Sequence, residues 1–328
     1  MKHFLNSLLL IGFAALFGGK VNGQLLYTTL DNSNQSFLRQ TNLDGSGNAV
    51  FNINGLATAY EAQYSNNGQL LGISGQTSAQ AQQNQISNNV FVFNPATSQT
   101  QQITNFTDIF DPSTGNRLFT DAAFKSFSPD GSILAVGSRT LFITLSAPQG
   151  DAGRTLTFFR VSDGQQLGGQ IMDFNFNGTS SGGAGVSWSP VADLIAFPRS
   201  TSSGNPLLSG PTPVAGFNSS GQFTGNLTSP TASGVGTQFV EHDMYPSFSP
   251  NGAALAYFRS TRIGFGSTPS LLNLRITSPA GDRSILTFTA GQLPLGLGWS
   301  PDGTKLAFSV GDQPVFVNPP IATLGYEA

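Results

Sequence analysis

Five copies of one short pattern constrain this chain more than any other feature. Each copy is an aromatic residue, Ser, usually Pro, a tight turn, and then an apolar strand holding a small residue. The copies read Tyr64-Ser65-Asn66-Asn67-Gly68 before Leu70-Leu71-Gly72-Ile73, and Phe127-Ser128-Pro129-Asp130-Gly131 before Ile133-Leu134-Ala135-Val136. Trp188-Ser189-Pro190 precedes Leu194-Ile195-Ala196-Phe197, and Phe248-Ser249-Pro250-Asn251-Gly252 precedes Leu255-Ala256-Tyr257. The last is Trp299-Ser300-Pro301-Asp302-Gly303 before Leu306-Ala307-Phe308, and the serines lie 63, 61, 60 and 51 residues apart. Proline presets φ for a turn, Asp or Asn bonds its own backbone, and Gly accepts a positive φ, so each copy predicts a hairpin between two strands. Both tryptophans fall at the aromatic position, which assigns that position to a core where one unit packs on the next. The small residue in the following strand leaves room for a neighbour.

A second turn recurs between the copies, at Asn42-Leu43-Asp44-Gly45, Asn94-Pro95-Ala96-Thr97, Ser162-Asp163-Gly164, Asn218-Ser219-Ser220-Gly221 and Ser278-Pro279-Ala280-Gly281. Each unit is therefore four antiparallel strands, and the chain is an all-β propeller of such blades. Four complete units start near residues 60, 122, 184 and 243. A partial unit closes the chain, and residues 24 to 54 carry three strands (25–30, 36–42, 48–53) without the first. The count is six blades, with five or seven as alternatives; Ile321 to Glu327 is the candidate for the missing strand, closing the ring and removing open edges.

The Ser-Pro-Asp-Gly turn followed by a Leu-Ala-aromatic strand resembles the repeat of TolB-type β-propellers. Ser128, Pro129, Asp130 and Gly131 match it fully, as do Ser300, Pro301, Asp302 and Gly303, while Ser249 and Pro250 are followed by Asn251. The copies at Ser65 and Ser189 are degenerate. The resemblance implies a propeller and leaves function open, because such propellers serve as binding platforms, enzyme lids and lyase scaffolds. TolB itself carries an α/β domain ahead of its propeller, and here strand-like sequence starts directly after residue 23. Pectin lyases of this repeat family bind a metal through several histidines, a set that this chain cannot supply.

Residues 1–23 read as a secretory signal, with Lys2 and His3 at the start, an apolar run from Leu8 to Phe17, and Val21-Asn22-Gly23 before a cut at Gln24. The single propeller domain is then 24–328, with no later run long enough to span a membrane. Removing the segment takes two of the 14 basic residues and none of the 17 acidic ones, for a net charge of −5, and leaves His242 as the sole histidine. Only Lys125 and Lys305 remain among the lysines. The absence of cysteine excludes disulfides, thiolate chemistry and cysteine zinc sites. Dispersed basic residues and an acidic balance exclude nucleic acid as a partner. The 38% apolar content excludes intrinsic disorder, and the 9% charged content is far below the usual ~25%.

Residues 75–89, 105–121, 172–185 and 200–214 read as long polar loops, where recognition concentrates in such folds. Asn34, Asn105, Asn177, Asn218 and Asn226 begin Asn-x-Ser/Thr sites. Gly178-Thr179-Ser180-Ser181-Gly182 matches G-x-S-x-G without the strand–turn–helix setting that a nucleophile elbow requires. No P-loop or complete dinucleotide fingerprint is present. The remaining polar cluster is Glu241, His242 and Asp243 with Tyr245, just ahead of the turn at Ser249. Glu61 and Asp121 occupy comparable places in other units. Converging on a channel mouth, these side chains would form an acidic ring suited to a cation, an amine or sugar hydroxyls. No Asp-x-Asp-x-Asp loop supports calcium, and no cofactor is expected. The sequence thus predicts an exported or periplasmic, non-catalytic propeller whose partner is a protein, a glycan or copies of itself. The alternatives are a structural subunit of a surface layer, matrix or filament, and a hydrolase or lyase, which one histidine disfavours.

Overall fold

The computed structural model describes residues 13–15, 24–30, 36–42, 47, 49–143, 150–167, 171–173, 185–199, 211–233, 239–263, 271–288, 294–300, 302–310 and 313–317. The repeated turn closes through its serine hydroxyl. Ser128 Oγ donates to Asp130 Oδ1 at 2.6 Å and accepts the Ile133 N–H at 2.9 Å. Gly131, at φ 75°, donates its N–H to the Ser128 carbonyl. Ser249 repeats this with Asn251 Oδ1 and the Ala254 N–H, both at 2.9 Å, and Ser65 with Asn67 and Leu70. Ser300 pairs likewise with Asp302, and Gly303 donates its N–H to the Ser300 carbonyl; Pro301 lies outside the described residues. Asp and Asn are interchangeable here because the carbonyl-type oxygen is what the turn needs.

Between these turns the described residues form six antiparallel sheets. The first holds β1 (Phe13–Ala15), β2 (Gln24–Leu30), β3 (Ser36–Asn42) and β4 (Ala49–Val50). The second holds β5 (Leu56–Tyr64), β6 (Leu71–Thr77), β7 (Asn89–Asn94) and β8 (Gln99–Gln102), with helix α1 (Ser78–Gln82) after β6. The third holds β9 (Ile109–Asp111), β10 (Asn116–Phe127), β11 (Ile133–Ile143), β12 (Gly150–Arg160) and β13 (Ile171–Asp173), with β9 on the edge of β10. The fourth holds β14 (Ser187–Trp188), β15 (Ile195–Pro198), β16 (Val214–Phe217) and β17 (Phe223–Asn226). The fifth holds β18 (Ala232–Ser233), β19 (Phe239–Phe248), β20 (Leu255–Ile263), β21 (Leu271–Ser278) and β22 (Gly281–Phe288). The sixth holds β23 (Pro294–Trp299), β24 (Leu306–Val310) and β25 (Gln313–Val317). The strands β1, β5, β10, β14, β19 and β23 touch in succession, and β23 returns to β1. The result is a closed ring of six blades, a β-propeller.

Apolar clusters fill the blade junctions. Between the third and fourth blades, Phe158 packs on Trp188, Phe197 and Phe217; between the fifth and sixth, Phe258 packs with Trp299, Leu306 and Phe308. Trp188 and Trp299 are buried, in the core role expected of the repeat aromatic. Polar links join the same junctions. Ser126 Oγ accepts the Trp188 N–H at 2.8 Å, Ser187 Oγ accepts the Phe248 N–H at 3.0 Å, and Trp299 Nε1 donates to the Ser247 carbonyl at 2.9 Å. These three serines each stand two residues before a repeat serine, a periodic signal the turn motif does not include.

Three segments differ from the sequence expectations. The strand completing the first blade is β1, inside the segment read as a leader, while 321–327 lies outside the described residues. A short apolar run such as Phe13–Ala15 satisfies a leader and an inner strand equally well. The polar stretch 75–89 contains α1, because Thr77 Oγ1 accepts the Gln80 N–H and Gln80 Oε1 accepts the Thr77 N–H, a capping box. The stretch 105–121 contains β9 and half of β10, a hairpin whose turn Asp111 closes. The G-x-S-x-G match and most of 172–185 and 200–214 lie outside the described residues.

Candidate functional site

All six side chains singled out in the sequence stand on the innermost strands β5, β10 and β19, at or just before a β-bulge. The register shifts between Tyr60 and Gln63, between Asp121 and Phe124, and between Met244 and Ser247. Counting four residues back from each repeat serine gives Glu61, Phe124, Gly185, Tyr245 and Gly296. Three of these are left-handed: Glu61 at φ 46°, Gly185 at 65° and Tyr245 at 53°. For a non-glycine residue such a conformation costs about 1–3 kcal/mol and persists only where packing enforces it. At Gly185 the enforcement is visible, because a Cβ there would stand 2.7 Å from the Tyr245 Cα. Tyr245 then meets Phe124 edge to face, with centroids 5.9 Å apart. Blades three and five thus touch across the glycine of blade four, so the Tyr245 ring serves central packing.

The acidic side chains form two clusters. In the fifth blade, Arg259 Nε donates to Asp243 Oδ1 at 2.7 Å and its Nη2 to Oδ2 at 2.8 Å, with both residues buried. Burial pushes the Asp243 carboxyl up, against the pull of the Arg259 hydrogen bonds. Glu241 lies 3.5 Å from Arg259 Nη1 and accepts the Thr231 N–H at 2.7 Å. His242 is buried, and its Nδ1 is 2.9 Å from Thr212 Oγ1. Thr212 forms a parallel bridge with His242 from the preceding blade, donating its N–H to the Glu241 carbonyl and accepting that of Asp243. Arg275 and Tyr257 extend the network to Asp282, which accepts the Tyr257 hydroxyl through both oxygens at 2.8 Å.

The second and third blades repeat this logic. Asn88 bridges to Asp121 in parallel, donating its N–H to the Thr120 carbonyl and its Nδ2 to Asp121 Oδ1 at 3.2 Å. Arg139, directly across the β10–β11 ladder, lies 3.6 Å from the Asp121 carboxylate. The partly buried Glu61 faces Lys125 of the next blade. Burial pushes Glu61 up to about 8 against the attraction of Lys125, and burial draws Lys125 down to about 8 against Glu61 and Asp121. Lys125 Nζ donates to Ser74 Oγ at 2.8 Å, and Ser74 Oγ donates to the Ala122 carbonyl at 2.6 Å.

The geometry therefore brings Glu61 and Asp121 into one cluster and Glu241, His242 and Asp243 into another, each with a cation among its partners. Sequence reasoning missed those cations, Lys125, Arg139 and Arg259. Lys125 had a signal, being a lone charge in the apolar run Ala122–Phe127. The arginines had none, since they lie 18 and 16 residues from their carboxylates. Among the described residues, no group of three or more His, Asp or Glu is arranged to hold a metal. Nor is any helix among them long and apolar enough to cross a membrane.

No protein-family model matches the chain, and no curated protein matches it in sequence. Solved structures match its fold. A putative TolB from Agrobacterium tumefaciens aligns with TM-score 0.58 and 15% identity, over 92% of this chain and 91% of that one. An oligogalacturonate lyase in complex with manganese aligns with TM-score 0.52 and 11% identity, over 92% and 72%. A second oligogalacturonate lyase, from Vibrio parahaemolyticus, gives 0.51 and 12% over 94% and 76%. At these identities the likeness is one of fold.

Proposed function

We propose that the protein is an exported, non-catalytic β-propeller that binds a protein or a glycan through one face of its ring. One observation carries this reading: Asp243, Asp121 and His242 on the inner strands are committed to partners within the fold, Asp243 to Arg259, Asp121 to Arg139 and Asn88, and His242 to Thr212. Such groups fix strand to strand within a blade and blade to blade at its edge, whereas a general base must reach a substrate proton. Export is supported by Lys2 ahead of the apolar run and by Val21-Asn22-Gly23 before Gln24, leader features that an inner strand does not require. The low charged content supports a second reading, a subunit of an extracellular assembly, since weak repulsion permits close polar packing.

The test is an incubation of the purified protein with oligogalacturonate and Mn2+, followed by chromatography of the products, beside a screen of the same preparation on an array of defined glycans. Unchanged oligogalacturonate with retention of particular glycans supports a glycan-binding module. Cleavage overturns the non-catalytic reading, and retention of none directs the reading to a protein partner.

A further inference from the structure

In an Asn-Gly pair the backbone nitrogen of the glycine can attack the asparagine side-chain amide, because no Cβ on the glycine blocks the approach. Asn22, Asn54, Asn67, Asn177 and Asn251 each precede a glycine, and those at 54, 67 and 251 lie within the described residues. Two of these three sit in repeat turns that hold both reacting groups. Asn251 Oδ1 accepts the Ser249 hydroxyl at 2.9 Å and the Ala253 N–H at 3.0 Å, while the Gly252 N–H donates to the Ser249 carbonyl at 2.8 Å. Asn67 Oδ1 accepts the Ser65 hydroxyl at 2.8 Å and the Gln69 N–H at 3.0 Å, and the Gly68 N–H donates to the Ser65 carbonyl at 2.8 Å. Asn54 and Gly55 differ. They form the tip of the link from β4 of the first blade to β5 of the second, and both are exposed. Gly55 takes φ 90° in a turn closed by a bond of 3.3 Å from the Leu56 N–H to the Ile53 carbonyl. A Cβ on Gly55 would meet nothing within 4 Å, so the tip has room to rotate. Among the described residues, no hydrogen bond engages the Asn54 carboxamide or the Gly55 N–H. Ile53 and Leu56 are anchored in the cluster of Leu38 and Leu71, which lets the tip move without unpacking the core.

We propose that Asn54 is a site of spontaneous deamidation and isomerisation in the folded protein, and that the repeat turns protect Asn67 and Asn251 from the same reaction. The Gly55 nitrogen gives its proton to solvent base and attacks Asn54 Cγ. A C–N bond forms, the Cγ–Nδ2 bond breaks and ammonia leaves, closing a five-membered succinimide. Water then adds to one of its two carbonyls. Opening at Cγ yields aspartate, and opening at the backbone carbonyl yields isoaspartate, in which the chain runs through the former side chain. The net change is one water consumed and one ammonia released. Either product adds a negative charge, and isoaspartate also inserts an extra carbon into the link between the first two blades. The chemistry is independent of whether the ring binds a protein or a glycan.

Ageing of the full-length protein in heavy-oxygen water at mildly alkaline pH tests it, with one sample kept native and one in concentrated urea. Peptide mapping by mass spectrometry follows each Asn-Gly pair, and the oxygen label separates ageing from reaction during digestion. In the native sample Asn54 is expected to convert to labelled aspartate and isoaspartate. Asn67 and Asn251 are expected to react at least about tenfold more slowly, since each must first break two or more hydrogen bonds. In urea the three are expected to react at similar rates. An intact Asn54 in the native sample, or equal native rates at the three positions, overturns the proposal. The same order of rates in urea would assign the difference to neighbouring residues and overturn the protective role of the turns. Aspartate without isoaspartate would overturn the succinimide route.

Discussion

The guanidinium of Arg259 holds the buried carboxylate of Asp243 through two parallel hydrogen bonds, at 2.7 and 2.8 Å, directly across the β19–β20 ladder. The Asp243 N–H is bonded in turn to the Thr212 carbonyl of the preceding blade. An ion pair placed there joins strand to strand beside the point where blade joins blade.

Removing one partner of a buried pair leaves an uncompensated charge and costs about 3–5 kcal/mol, whereas replacing both with apolar groups is often near neutral. Asp243→Ala is therefore expected to lose roughly that much stability in urea unfolding, and Arg259→Met a similar amount. The double variant Asp243→Leu/Arg259→Met is expected to recover most of it. Additive losses in the cycle would show that the two side chains act separately.

Glu61 and Lys125 give a pH dependence of opposite sign on the two sides of pH 8. Folded Glu61 keeps its proton to about pH 8, while the unfolded chain releases it near 4.5, so stability falls as pH rises between these values. Lys125 reverses the trend: the folded form releases its proton near 8 and the unfolded chain holds it to 10.5, so stability rises again above 8. Each limb is limited to about 1.4 kcal/mol per pH unit, the value for one proton. Melting temperatures from pH 4 to 10 are expected to pass through a minimum near 8. Glu61→Gln is expected to match the wild type at pH 4 and exceed it at pH 8.

The contrast between these clusters and the repeat turn explains what the sequence made legible. Every interaction closing the Ser128 turn lies within five residues, so local chemistry specifies it and the spacing of five such turns gives the ring. Asp243 stands out in sequence as part of a charged run, but its partner Arg259 is brought to it only by the register of two strands, and Asn88 reaches Asp121 only through blade stacking. Pairing across a ladder leaves no trace in local pattern, and pairing across a junction leaves one only where it repeats, as at Ser126, Ser187 and Ser247. The leader-like run at Phe13–Ala15 illustrates a different limit, since hydrophobicity alone does not distinguish export from an inner strand.

Two glycines of β6 separate tolerated from forbidden side chains. A Cβ at Gly72 would lie 3.2 Å from the Lys125 stem and the Phe127 ring, both able to shift, and the equivalent position is alanine in the other four repeats. A Cβ at Gly75 would lie 2.1 Å from the Thr58 carbonyl oxygen, which is backbone. Gly72→Ala is expected to cost under about 1.5 kcal/mol and Gly75→Ala at least about 3, at or above the upper end of ordinary overpacking. Denaturant midpoints measured side by side check the order.

The two tryptophans occupy the same repeat position with opposite polar fates. Trp299 Nε1 donates to the Ser247 carbonyl of the preceding blade at 2.9 Å, whereas the buried Trp188 Nε1 has no hydrogen-bond partner. Replacement by phenylalanine removes similar apolar surface from both. At 299 it also removes a bond and strands a carbonyl; at 188 it deletes a donor whose burial was a cost. Trp299→Phe is therefore expected to destabilise by about 1–2 kcal/mol more than Trp188→Phe. Each variant keeps one tryptophan, so its fluorescence during unfolding reports one blade junction. Equal losses would show that the Trp299 bond adds nothing, and a larger loss at Trp188 would mean that ring packing at the third junction outweighs the missing partner.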